Sequence, residues 1–517
     1  MKNVNFAWIC VLICLSADVF AADSGYTFKT FDRQTVVDKP ASLPDLSRYT
    51  RKAIDEKIDK LTHPAVRQPI VIEVKHVFKE FAMFLFTDGG RAGRWAKLQG
   101  GVPRAIFIRS GVVTPADIAA AVNDPGIFQY SASEKIALAR LPVVIENGAA
   151  LIVQGETTKS FKMSQQRGAF LVVDGVLAML DTQLVAWNET KQSPAWYEEK
   201  TQFRPFLTSL GGSELYMHNT HNLSLGYYHS KSYGLTVTQH PQIHNVIAKR
   251  PSPIAWILNS VFEDLYYGFY CYESDGLALI DNVYKNNIIY GIDPHDRSSH
   301  LIFARNTVYG TQKKHGIIGS RSVNDSWFID NVSYHNKLSG FMLDRSSNNN
   351  VVVGNKFYEN GSDGITLYES DNNFIANNQV SGNKFHGVHI RNSQNAQIID
   401  NNITGNGAYG VFGQIKNLTE GDEAKENRDI VKDPYVQLYS FTLKGGQINA
   451  NLTGVISAIG PEYIKVADID VKHSFKKNGF GLEGPLQDFY TDFWDTLYKK
   501  QQGFELVRKD SVSVVSQ

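Results

Sequence analysis

From residue 259 onward the chain repeats itself. Asparagines fall at 259, 282, 306, 331, 355, 378 and 402, and a glycine followed by an apolar residue falls at 268, 291, 316, 340, 364, 387 and 410. Successive glycines are 23, 25, 24, 24, 23 and 23 residues apart, so copies of one unit follow each other with little drift. A period of that length restricts the chain to a solenoid, in which each repeat buries its apolar face against the next. The unit is rich in Val, Ile, Tyr, Asn and Gly, shows no helical periodicity and lacks the spaced leucines of a leucine-rich repeat. The pattern predicts an all-β fold, a right-handed parallel β-helix with one coil per repeat and coils about 4.8 Å apart. Asparagines recurring once per coil are expected to stack at a turn, where their amides satisfy buried backbone groups.

Strand alternation assigns faces. One place after each glycine stand Phe269, Ile292, Ile317, Phe341, Ile365, Val388 and Val411, all apolar, so this column faces the core. Three places after, Cys271 reads as a small buried hydrophobe. The outward columns lie two and four places after the glycine. The first reads Tyr270, Asp293, Ile318, Met342, Thr366, His389 and Phe412; the second reads Tyr272, His295, Ser320, Asp344, Tyr368, Arg391 and Gln414. Such a face predicts a groove for an extended ligand, with tyrosines stacking on rings and arginines pairing with carboxylates.

The rest of the chain is expected to support this array. Lys2, an apolar run at 6–15 and Val19-Phe20-Ala21 read as a cleavable secretory signal over residues 1–21. No later apolar run is long enough to span a bilayer, so an exported protein without membrane insertion is expected. Cys10 and Cys14 leave with the signal, and Cys271 alone excludes an intrachain disulfide and a zinc–cysteine cluster. Residues 22–205 are expected to form an N-terminal cap and the first coils, 206–414 the repeat core with its groove, and 415–517 a charged loop, the last coils and a capping helix. Helices are expected over 46–62, 115–123 and 486–500. Lys+Arg and Asp+Glu both number 52, a balance that argues against a nucleic-acid partner.

Within the array, residues 291–297 read Gly-Ile-Asp-Pro-His-Asp-Arg. Asp293 and His295 share the outward face, and Arg321 lies one coil further on. Histidine suits proton abstraction near neutral pH, and Asp293 or Asp296 would raise its pKa and orient the ring. Arg321 keeps its charge and can neutralise a substrate carboxylate, stabilising the enolate-like charge that builds when an adjacent proton leaves. A uronic-acid residue carries such a proton at C5.

These stretches, SVFEDLYYGFYCYE (260–273), YGIDPHDRS (290–298), NTVYGTQKKHGII (306–318), SRSVNDS (320–326) and DGITLYES (363–370), resemble the periplasmic mannuronan C5-epimerases of bacterial alginate biosynthesis. The resemblance is plain over about 210–415 and looser elsewhere. It implies conversion of β-D-mannuronate to α-L-guluronate within a polymer, with His295 as base and Arg321 on the carboxylate. It implies no cofactor and no metal requirement, a polymannuronate or alginate substrate, and partners in an alginate secretion complex in the periplasm. Tyr272, Tyr290, Asp296, Arg297, Lys313, Lys314, Arg345, Tyr368 and Arg391 are the expected substrate contacts. A polyuronate lyase, which shares the first proton abstraction, and a non-catalytic polymer-binding scaffold are the alternatives.

Overall fold

The computed structural model describes residues 25–32, 42–64, 68–77, 93–239, 250–420, 429–431, 433–471, 481–499 and 502–510. The expected signal at 1–21 lies outside the described residues.

Each repeat folds into three short strands, and each strand pairs in parallel with its counterpart one coil away. In one coil these are Tyr290–His295, Ile302–Ala304 and Thr307–Tyr309. The first lies between Tyr267–Tyr272 and Ile317–Ser320, the second between Ala278–Ile280 and Trp327–Ile329, and the third between Val283–Lys285 and Val332–Tyr334. Three parallel sheets therefore enclose one elongated core, the parallel β-helix expected from the period. Ile292, Phe303 and Val308 point inward and are fully buried. Phe303 stacks on Phe328 of the next coil at 5.0 Å. The seven apolar residues that follow the repeat glycines all join this core. Cys271 is buried among them, and burial pushes its thiol up to about 12, which leaves it inert.

The glycines are required by close approach of neighbouring coils. A Cβ on Gly291 would stand 2.2 Å from a Val308 methyl and 2.6 Å from the Gly316 carbonyl. The asparagine ladder forms at the turn between the second and third sheets, one place out of the expected frame at each end. Its members are Asn282, Asn306, Asn331, Asn355, Asn378 and Asn401, with Ser260 and Thr220 continuing it. Asn259 occupies the left-handed bend before it (φ 47°), and Asn402 is an exposed strand residue. A second ladder, unanticipated, lies five residues on at Asn336, Asn360, Asn383 and Asn406; Asn287 holds the same position further back, and Thr311 between them donates its N–H to Asn336 while its hydroxyl has no partner.

Asn331 shows what one rung contributes. Its Oδ1 accepts from the Asn306 N–H and side-chain amide at 3.0 Å each, and its Nδ2 donates to the Phe303 carbonyl at 2.9 Å. Asn331→Ala strands these buried groups and is expected to cost on the order of 3 kcal/mol, read as a lower urea midpoint. An unchanged midpoint would remove the ladder from the account of stability.

Both ends are covered. Pro115–Val122 is a helix whose Thr114 and Asp117 form a reciprocal capping box. Arg51–Thr62 lays Ile54 and Ile58 against Ile152, Leu180 and Tyr216 on the outside of the second sheet. The first of the described strands, Tyr26–Asp32, is placed at the far end. It pairs antiparallel with Gln502–Arg508, which pairs antiparallel with Tyr463–Ala467 of the last coil. Helix Tyr490–Lys499 buries Phe493 beside this closure. Among the described residues no helix is long and apolar enough to cross a membrane.

Candidate active site

The outward face of the first sheet carries the polar constellation. The strand residues skip the glycine in their pairing, with Tyr267 opposite Tyr290 and Phe269 opposite Ile292. That kink slips the alternation, so the residue before each glycine also points outward. Tyr267 accordingly meets Tyr270 at 5.8 Å, and His386 meets His389 at 5.2 Å. This extra column (Tyr267, Tyr290, His315, Ser339, Asp363, His386, Tyr409) leans over the next one. Asp293, expected to line an open groove, is consequently 1 % exposed.

At the end of the strand Asp296 and Arg297 both adopt positive φ, 35° and 54°, and turn the chain back. The bend brings the Asp296 carboxylate onto the histidine ring, with Oδ2 2.8 Å from His295 Nδ1. Asp296 thus takes the orienting role that the sequence left open between two aspartates. Its Oδ1 faces Arg321 Nε at 3.7 Å. Arg321 is itself in a left-handed bend (φ 63°), one residue past Ser320, the register partner of His295. Base candidate and cation candidate therefore share one carboxylate.

The electrostatics follow. Burial alone would depress the His295 pKa, but the bond to Asp296 and the fields of Asp293 and Asp296 hold it above its ordinary value. Burial would raise Asp296, yet His295, Arg321 and Arg297 hold its carboxyl below the usual range. Asp293 has no hydrogen-bond partner on either oxygen, and burial pushes it up to about 7, against the pull of His295 and Lys314. It acts on His295 through its field.

A pH profile reads this arrangement directly. A histidine base works when neutral, so activity should be present above its raised pKa and lost as pH falls through it. Asp296→Asn removes the partner that favours the charged ring, so the acidic limb of kcat/KM is expected to move to lower pH. A limb that stays in place would dissociate it from the His295–Asp296 pair.

Most of the expected substrate contacts flank this centre, but Tyr368 and Arg391 lie three and four coils further along the same face and are not brought to it. Lys314 lies 5.5 Å above the Tyr290 ring, and Lys313 Nζ donates to Tyr197 Oη at 3.0 Å, both on the strand-entry side. On the other side Arg297 pairs with Glu273 and donates to Tyr272 Oη at 2.9 Å. Arg391 holds Glu369 through two nitrogens and covers the Tyr368 ring at 3.6 Å, so both arginines already carry an in-chain carboxylate. Arg345 sits between Asp344 and Asp433 at 3.5 and 3.9 Å.

Two neighbours escaped the sequence reading. Lys231 Nζ lies 4.5 Å above Tyr272 and donates to Thr238 Oγ1 at 3.1 Å. Burial pushes this lysine down to about 8, against the fields of Glu273 and Asp296. Its proximity to the rung comes from Thr238 and Tyr272 standing in register with His295. Asp433, from the charged loop, places Oδ2 2.8 Å from Arg321 Nη2. No local pattern signals a contact between residues so far apart.

Several known proteins are similar to this chain over most of its length. A family model described as periplasmic copper-binding protein (NosD) matches residues 211–362 and 321–421. The chain is 40 % identical over 464 residues to a mannuronan C5-epimerase of Pseudomonas putida, covering 90 % of this chain and 87 % of that protein. It is 42 % identical over 472 residues to the mannuronan C5-epimerase AlgG of Azotobacter vinelandii, covering 90 % and 86 %. The crystal structure of the periplasmic alginate epimerase AlgG superposes with a TM-score of 0.78 at 38 % identity, over 84 % of this chain and 99 % of that one. With identity at this level across nearly the whole length, the chain belongs to the mannuronan C5-epimerase family.

Proposed function

We propose that His295 removes the C5 proton of a β-D-mannuronate residue inside a polymannuronate chain while Arg321 neutralises its carboxylate. Reprotonation from the opposite face then yields α-L-guluronate, with no bond of the polymer broken. The observation that carries this reading is the shared carboxylate. Asp296 fixes the ring through Nδ1 and faces the guanidinium with its other oxygen. A base and a permanent cation are thereby held at a set distance, as proton abstraction beside a carboxylate demands. Asp293 supports the base through its field. Tyr272, Tyr290, Lys313, Lys314 and Arg345 hold neighbouring sugars, and Arg297, Tyr368 and Arg391 shape the groove wall.

Purified protein incubated with polymannuronate in heavy water tests this. Guluronate signals with deuterium at C5 and unchanged chain length are expected in proton NMR. Unsaturated ends absorbing in the near ultraviolet would instead identify a lyase, and polymer binding without C5 exchange a scaffold. The protein would work in the periplasm, delivered by the segment at 1–21, beside other proteins that export the polymer.

Asp433 occupies Arg321 as a substrate carboxylate would. Asp433→Ala is therefore expected to lower KM several-fold with kcat near wild type, because the polymer no longer displaces an internal competitor. A raised KM would mean that Asp433 positions Arg321 instead.

A further inference from the structure

A second cluster of ionisable side chains lies on the same outward face, well away from His295. His389 stands in the column of Asp293, four coils further on, roughly 19 Å along the axis at about 4.8 Å per coil. Asp363 and His386 complete it, and one ligand atom from each of the three falls within 4.8 Å of the others. Asp363 is only 4 % exposed. Its Oδ1 accepts from the His386 backbone N–H at 2.9 Å, and its Oδ2 lies 3.0 Å from His389 Nδ1.

We propose that Asp363, His386 and His389 form a binding site for a divalent transition-metal ion of the zinc type. The donor set carries the assignment. Two imidazoles and one carboxylate suit zinc, cobalt, nickel or copper, whereas calcium and magnesium require mostly oxygen ligands. Ligand atoms around zinc stand roughly 3.4 Å apart, so the cluster closes on an ion with movements of about 1 Å.

The contacts present now are those an ion would replace. The ion takes the place of the proton between His389 Nδ1 and Asp363. The other ring nitrogen, 3.1 Å from the Gln414 amide, then carries the proton, and Gln414 turns its oxygen to accept it. His386 either gives up the long 3.3 Å bond that its Nδ1 accepts from the Tyr409 N–H or keeps it and ligates through Nε2. Tyr368 Oη, 3.2 Å from His389 Nδ1, or a water supplies the fourth ligand. The local charge also favours a cation. Arg391 is neutralised by Glu369 and Asp344 lies beside Arg345, which leaves Asp363 as the buried anion of this cluster. A bound ion would make that stretch attractive to a uronate carboxylate. This last consequence rests on the proposed substrate; the ion site does not.

The test uses the full chain, freed of metal with a chelator and titrated with cobalt(II) and then zinc(II). One equivalent per chain is expected, with the visible absorption of a tetrahedral cobalt centre that zinc abolishes. Asp363→Asn and His389→Ala should each weaken binding at least tenfold. His335→Ala, on a surface histidine paired with Glu359, should leave it unchanged. X-ray absorption of the zinc-loaded wild type should show two imidazoles, a result independent of whether the variants fold. Absence of stoichiometric binding, binding that survives both variants, or a shell without two imidazoles would overturn the proposal. His295→Ala should bind the ion normally, which separates this site from the epimerase reading.

Discussion

His295→Ala is expected to reduce epimerisation by about 10³-fold or more, the usual contribution of a positioned general base. The ring is removed from a half-buried position on the outer face, where its side chain is 23 % exposed and no core contact is lost. The melting temperature should therefore stay close to wild type while exchange of the C5 proton with solvent stops. Loss of exchange is the decisive readout, because it reports abstraction itself and not the later return of a proton. Exchange at the wild-type rate in His295→Ala would remove this residue from the reaction. Asp296→Asn should be milder, since the base survives but loses the partner that orients it.

Arg321→Ala should lower kcat/KM by about 10²–10³-fold, a loss comparable to removing one preorganised donor from an oxyanion site. The charge that builds on the substrate carboxylate during abstraction would then have no fixed counter-charge. Arg321→Lys should recover little of this. Its point charge cannot reproduce a planar fork whose Nε faces Asp296 while Nη2 holds Asp433. Full recovery by lysine would mean that charge alone matters and that the shared-carboxylate geometry is incidental. A loss confined to KM would make Arg321 a binding residue and not a stabiliser of the transition state.

The period of the repeat made the fold legible, because a β-helix writes its pitch into the sequence once per coil. The apolar column from Phe269 to Val411 and the neighbourhood of His295 and Arg321 follow from the same indexing. What escaped did so for local or distant reasons. The ladder was displaced to Ser260 and Asn401 because asparagine also suits the left-handed bend and the strand on either side of the true rung. The aromatic column through Tyr267 and Tyr290 was missed because simple alternation ignores the backbone kink at the glycine. The covering of Asp293 followed from that omission. The choice of Asp296 over Asp293 depends on two successive positive φ angles, which a strand pattern cannot contain. Asp433 approaches from a loop that bears no repeat signature at all.

The antiparallel pairing of Tyr26–Asp32 with Gln502–Arg508 has a temporal consequence. In a solenoid each coil touches only its neighbours, so coils can form in order as the chain emerges. The last sheet edge cannot be closed in that order. Its outermost strand precedes the array and its partner follows it, so the whole array must exist before the two meet. The long-range closure is thus expected to be the slow, final step of folding. Until then the end of the molecule presents an open edge of the kind that invites pairing with other chains.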